Sequence, residues 1–472
     1  MWRSVFNIYE HFILLYFSAL ALVSALLGFL GMRAVVVYAR ELSAVGLNAL
    51  LERDFFKPVS ILVPAYNEEK GIVASVQSLL DLEYPEFEVI VALDGPTDNT
   101  LGVLTEAFHL AEVPHTVRVA VKTETVRAVY RSMTFPNLMV VDKANGGRAD
   151  AINAAFNLAR FPLVSPVDGD SILDGRALAR ATRVFTEDDK VIAVGGTIRP
   201  LNGAVLRDGK IEELRSPKKW VERIQVLEYA RAFFTTRAAW SRLNCLMIIS
   251  GAFGIFRRDV VEAVGGWSHG MVADDMEMVV RLHRHHRSLG IPYRITTSPD
   301  PICWTEVPSS MRALRRQRNG WQRGLMEVML KHKSMTMNPR YGRIGMVGMP
   351  FLWIFETLAA FVEASGYLYV VIAALLGFLN VSFFVMFIAL AVLYGILLSE
   401  LAMGVETLLL SRYERNSDRW RLFLAAFVEY AGFRQIILWE RCIAAFQLRS
   451  RHGKYWTEER TGIEVGSPSA MR

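Results

Sequence analysis

Hydrophobic positions divide the chain into stretches of two kinds. Residues 12–32 are apolar without a single charge, and residues 364–399 are again chargeless. The first is long enough to cross a bilayer as a helix, and the second reads as two such spans joined by a tight turn at Gly377-Phe378-Leu379-Asn380. Between the blocks, from Phe55 on, short β-branched runs alternate with segments of helical spacing. PVSILV, FEVIVAL, VRVAVKT, LVSPV and VIAVGG predict strands, and residues 68–82, 97–110, 147–159 and 174–185 predict helices. This alternation predicts an α/β domain, a mostly parallel sheet with helices on both faces. Its ligands belong at the carboxyl ends of the strands.

The pattern divides the chain into an N-terminal span and linker (1–54), the α/β domain (55–335), an interfacial helix with two spans (336–411) and an amphipathic helix with a polar tail (412–472). Glu356 and Glu363 stand one heptad apart after Pro350. They predict an interfacial helix with solvated carboxylates, a bundle-facing helix being the alternative. Residues 421–448 mix apolar positions with Glu429, Arg434, Glu440 and Arg441, which favours an amphipathic helix over a fourth span. The first span is expected to be retained: Glu10 accompanies Arg3 at its front, and no A-x-A site follows. The charged flanks belong in the cytoplasm and the chargeless turn outside. That topology predicts an integral protein of the inner (plasma) membrane with a cytoplasmic α/β domain.

Composition agrees with a mixed protein. Of 472 residues, 52% are hydrophobic and 21% charged, and the mean hydropathy is +0.25. A soluble domain fused to membrane segments accounts for both figures. The net charge of +6 is modest and diffuse, suiting anionic lipid or an anionic substrate without calling for nucleic acid. Cys245, Cys303 and Cys442 are far apart and form no CxxC pair, which argues against a disulfide framework or a structural zinc site.

The polar motifs fall at predicted strand ends. In VDGD, Asp168 and Asp170 stand one residue apart after an apolar run. They can hold a hard divalent cation, or form a plain Asp-Gly turn. In VALDGPTDNT, Asp94 ends a strand and is the ligand-contact candidate, whereas Asp98 or Thr97 reads as a cap for the next helix. In DKANGGRADAIN, Gly146-Gly147 lets backbone approach a ligand, with Lys143 and Arg148 beside a helix start, an arrangement that suits phosphate. In VADDMEMVVRLHRHHR, Asp274 and Asp275 open a helix, where a carboxylate is favoured and can act as a general base. His283, His285 and His286 read as a solvated helix face.

In this order the motifs resemble the family 2 glycosyltransferases, in particular membrane-embedded polysaccharide synthases of the cellulose, hyaluronan and poly-N-acetylglucosamine type. The resemblance covers residues 58–324 and implies a GT-A-like fold. It implies that Tyr66, Glu68 and Asp94 lie near the uridine of a UDP-sugar, and Lys143, Gly147 and Arg148 near its diphosphate. Asp168 would face the nucleotide sugar and Asp170 would ligate Mg²⁺ or Mn²⁺. Asp275 would be the base, with Asp274, Ser250 and Gly251 at the acceptor site. RRQRNGWQRG matches the family's QxxRW at Gln317 and Trp321, the acceptor-binding pair, but has Gly320 at the arginine position. Arg316 and Arg318 are candidates to replace that diphosphate contact. Leu93 stands where the family often has a second acidic residue.

The resemblance implies an inverting hexosyltransferase that extends a β-linked polysaccharide at the membrane. The alternatives are single transfer to a membrane lipid carrier and a catalytically weak pseudo-transferase. Implied partners are a UDP-sugar, a growing glycan or lipid-linked acceptor, the bilayer, and a homo-oligomer or export partner. Nucleic acid is not among them.

Overall fold

A computed structural model describes residues 2–44, 56–114, 119–207, 210–410 and 415–448. The α/β domain is built on a ten-stranded sheet, beside which β9 (Ala204–Arg207) and β10 (Lys210–Leu214) form a two-stranded one. Four strands form its parallel centre: β1 (Val59–Ala65), β2 (Phe87–Asp94), β5 (Leu138–Lys143) and β6 (Leu163–Pro166). On one side β3 (Leu110–Glu112) and β4 (Val126–Ser132) extend it antiparallel. On the other side lie β7 (Ile172–Leu173), β8 (Val191–Pro200), β11 (Gly254–Arg257) and β12 (Arg294–Thr305). There β11 pairs antiparallel with β6 and β8, while β12 runs parallel to β8.

Strand periodicity splits the centre into two faces. Leu62, Ile90 and Val141 pack under helix Arg148–Leu158 with Ile152 and Phe156. Ile61, Val91 and Val140 pack the opposite face, against helices Ile72–Leu80, Thr100–Phe108 and Ala177–Glu187. With both faces covered, the central strands read as near-continuous apolar runs, as parallel strands do.

One predicted strand is absent. In VRVAVKT, residues 117 and 118 lie outside the described residues, and 119–123 form no strand. The backbone there bonds to side chains instead. The Ala120 and Val121 amides donate to Asn157 Oδ1 at 3.0 and 2.9 Å, and Asn157 Nδ2 donates to the Val121 carbonyl at 2.8 Å.

Among the described residues, four helical stretches are long and apolar enough to cross a membrane: Phe6–Arg40, Ile344–Leu375, Val381–Thr407 and Asn416–Phe446. The fourth is broken at Ala431 and Gly432, whose backbone leaves the helical region. The α-helices on either side of the break, Asn416–Val428 and Arg434–Phe446, have 13 residues each, about 20 Å of helix against a hydrocarbon core of about 30 Å. The expectation of solvated carboxylates is corrected at Glu363, which is buried and held by Arg434 through two bonds of 3.0 Å. A buried carboxylate in apolar surroundings needs such a partner.

Hydrogen bonds fix the ends of the first helix. Near its start Glu10 accepts from Tyr369 Oη at 2.7 Å and from Asn380 Nδ2, in the chargeless turn, at 2.9 Å. Near its other end the Tyr38 hydroxyl meets Ser298 of β12 at 3.2 Å. Ion pairs join the α/β domain to the C-terminal helices: Arg199 with Glu406, Arg231 with Glu429 and Arg315 with Glu440.

Candidate active site

Register aligns the carboxyl ends of the parallel strands: Ala65 lies beside Leu93, and Asp94 beside Lys143. Asp94 and Lys143 point into the domain. The Lys143 ammonium is fully buried between Asp94, at 2.7 Å, and Asp150. Asp94 also accepts from the amides of Gly146 and Gly147 at 2.9 and 2.8 Å. These charges brace the Gly-Gly turn that starts helix Arg148–Leu158. Tyr66 is exposed and Glu68 half-buried in the loop after β1. That loop is stitched to the one after β2 by Asn67 Oδ1 accepting from the Thr97 amide at 2.8 Å. The Glu68 amide donates to Thr100 Oγ1 at 3.0 Å. Asp98 accepts from the Thr100 amide at 3.0 Å and the Glu69 amide at 3.2 Å, although the helix cap itself is Asn99.

Arg148 gathers the second group. Its Nε and Nη2 donate to Asp168 Oδ1 at 2.9 and 2.8 Å, its Nη1 to Asp274 Oδ2 at 2.7 Å, and its Nη2 to the Gly251 carbonyl at 2.9 Å. The Gly251 amide donates to Asp275 Oδ2 at 3.1 Å. Four motifs far apart in the chain thus meet on one guanidinium. Position 251 must be glycine for this: a Cβ there would lie 2.5 Å from Arg148 Nη2. Ser250 stands beside it, half-buried.

Asp274 and Asp275 open helix Asp274–Leu289, as the pattern predicts. Burial pushes the Asp274 carboxyl up to about 6; Arg148 opposes this and the neighbouring Asp275 charge adds to it. Asp275 is raised too, by burial, with Arg148 and two backbone amides opposing. Arg148 itself stays firmly protonated, since Asp168 and Asp274 outweigh the effect of its burial.

Helix Met311–Lys331 closes the site. A Cβ on Gly324 would lie 2.7 Å from the Ala273 methyl, so this helix touches the start of the Asp274 helix. Gln317, Gly320, Trp321 and Gly324 share a face by helical spacing. Gln317 is buried and Trp321 is 43% exposed. The Arg318 guanidinium lies 4.0 Å over the Trp321 ring and is ion-paired to Glu228, whereas Arg316 is exposed. The basic run is therefore no uniform patch.

For a divalent cation the donors are Asp168 and Asp170, both partly exposed after β6. No group of three or more His, Cys, Asp or Glu side chains gathers among the described residues. Two carboxylates fit an ion that completes its shell with water and substrate phosphate. The pattern passed over Asp150 and Arg237; the latter bears on Asp275 through its charge.

The family model described as "Glycosyltransferase like family 2" matches residues 57–324. The chain belongs to this family. Its fold is GT-A-like, and the four apolar helices among the described residues fit a membrane-embedded member. Poly-beta-1,6-N-acetyl-D-glucosamine synthase of Staphylococcus epidermidis is 27% identical over 283 residues, 60% of this chain and 58% of that protein. The Staphylococcus aureus (strain COL) synthase is 26% identical over 310 residues, 65% and 64% of the two chains. The chain thus spans less than two thirds of these relatives' length. Among solved structures, the mannosyltransferase PcManGT from Pyrobaculum calidifontis, in complex with GDP-Man and Mn2+, aligns at 17% identity with a TM-score of 0.49, over 91% of this chain and 99% of that one.

Proposed function

We propose that the chain is an inverting glycosyltransferase that takes a sugar from a UDP-sugar and extends a β-linked polysaccharide at the membrane. The observation that carries this reading is the Arg148 junction, which brings Asp168, Asp274 and the Gly251–Asp275 pair onto one surface. The names of the relatives make UDP-N-acetylglucosamine the first donor to test.

In this reading Asp275 takes the proton from the acceptor hydroxyl. The hydroxyl oxygen bonds to the anomeric carbon from the face opposite the diphosphate, and the breaking C–O electron pair leaves with the diphosphate. One displacement inverts configuration. The Gly251 amide and the helix N-terminus hold Asp275 in place. Arg148 fixes Asp168 and Asp274 and offsets their charge. Trp321, with Arg318 on one face of its ring, offers the other face to a pyranose. Asp94 and Lys143 shape the turn that presents the start of helix Arg148–Leu158 to the donor, and Tyr66 and Glu68 border the nucleotide. Mg²⁺ or Mn²⁺, held by Asp168 and Asp170 with the diphosphate, would supply charge neutralisation of the leaving group. The nucleotide sugar is cytosolic, so the α/β domain faces the cytoplasm of an inner (plasma) membrane protein.

Membranes carrying the full chain, given UDP-N-acetylglucosamine and Mg²⁺ or Mn²⁺, are expected to release UDP. The Asp170→Ala variant is expected to lose that release together with any response to added metal. An active, metal-indifferent variant removes the metal assignment.

A further inference from the structure

Helix Trp220–Arg231 continues into a π-helical stretch, Ala232–Arg237, before helix Ala238–Arg242. Such widened turns are frequent at functional sites. This one is pinned by the first membrane helix. A Cβ on Gly31 would lie 2.1 Å from the Thr235 carbonyl oxygen, so glycine alone lets the two backbones meet.

Arg237 ends the stretch. Its guanidinium lies 4.1 Å over the Phe233 ring, and it makes no hydrogen bond or ion pair among the described residues. Neighbouring arginines are engaged. Arg231 holds Glu429 at 2.6 and 3.1 Å, Arg318 holds Glu228, and Arg148 holds Asp168 and Asp274. Arg237 and Asp275 act on each other through their charges, but the Asp275 oxygens already accept from the Gly251 and Met276 amides. Burial pushes the Arg237 pKa down to about 10, with Asp275 opposing. Its guanidinium is half-buried, and none of its nitrogens is both sealed from solvent and unpartnered, so the fork stands open to a ligand. Its planar fork matches the oxygens of a phosphate. On the helix across the site, Gly320 offers no side chain for that task.

We propose that Arg237 is a phosphate-binding arginine of the active site, taking a phosphate oxyanion of the donor diphosphate or of a lipid-linked acceptor beside Asp275. The proposal rests on reading the site as a nucleotide-sugar transferase, and its test separates the two. The full-length protein in lipid nanodiscs is titrated with UDP and with UMP, and turnover is followed against a polyprenyl phosphate. Arg237→Gln is expected to weaken UDP about tenfold or more, the size of a lost charge-assisted hydrogen bond, and UMP less than about twofold. Arg237→Lys keeps the charge without the fork and is expected to fall between; it also covers the case that Arg237→Gln does not fold. Unchanged UDP binding with a KM for polyprenyl phosphate raised about tenfold would assign the lipid phosphate instead. Both constants within twofold of wild type, or equal losses for UDP and UMP, would overturn the proposal. Wild-type protein that binds no nucleoside diphosphate would remove the transferase reading, and this proposal with it.

Discussion

Two charge clusters sit at the same edge of the sheet and are built differently. In the first, Lys143 is sealed between Asp94 and Asp150, with each side chain at most 6% exposed. The Gly146 and Gly147 amides complete the Asp94 carboxylate. In the second, Arg148 is 23% and Asp168 31% exposed, the paired acids Asp274 and Asp275 are raised, and Arg237 has no acceptor among the described residues. The difference separates shape from chemistry. A closed, satisfied cluster fixes a backbone turn. A cluster with raised acids and open donors is poised to exchange a proton and meet an anion.

This contrast orders the expected effects. Asp275→Asn is expected to cut turnover by about 10²–10⁴, the span of a general base, with UDP affinity near wild type. Turnover that persists would take the base role from Asp275. Lys143→Met should act on stability instead. Leaving two buried carboxylates unpaired costs about 3–5 kcal/mol, so thermal unfolding should drop markedly. A stable Lys143→Met protein that has lost only nucleotide binding would show that the first cluster, too, is chemical.

The pH dependence sharpens the same point. The base works ionised, and both acids of the pair are raised by burial. The acidic limb of kcat/KM should therefore lie above the ordinary aspartate range. Asp274→Asn removes a negative neighbour and frees Arg148, and both changes ease ionisation of Asp275. The limb should then move to lower pH; no movement would mean the two acids are not coupled. The smallest effect is expected from Gly320→Arg, with turnover changing less than about threefold if Arg237 carries the phosphate contact; one pK unit of lost stabilisation would be a tenfold change. A gain of that larger size would instead mark Gly320 as a defect.

Much of this was legible in the residues. The apolar runs of β1 and β2 gave their places, and Asp94, Asp168 and Asp274 fall at the element ends where they were expected. What periodicity could not reveal was where side chains spend their hydrogen bonds. VRVAVKT has strand composition, but Asn157 claims its backbone. Glu363 has the spacing of a wet helix face, but Arg434, 71 residues away, buries it. Arg237 carries no local signal, because an unfilled guanidinium is a property of its surroundings. Arg318 is a candidate diphosphate contact by its place in the basic run, but Glu228, 90 residues away, pairs with it.

The central claim is β-glycan synthesis by single displacement. Its most direct test is the size and anomeric configuration of the product made by reconstituted protein from an α-linked UDP-sugar, read by gel filtration and NMR. The account predicts a high-molecular-weight, β-linked chain formed with one UDP released per sugar. An α-linked product, or only a short lipid-extractable one, would contradict it.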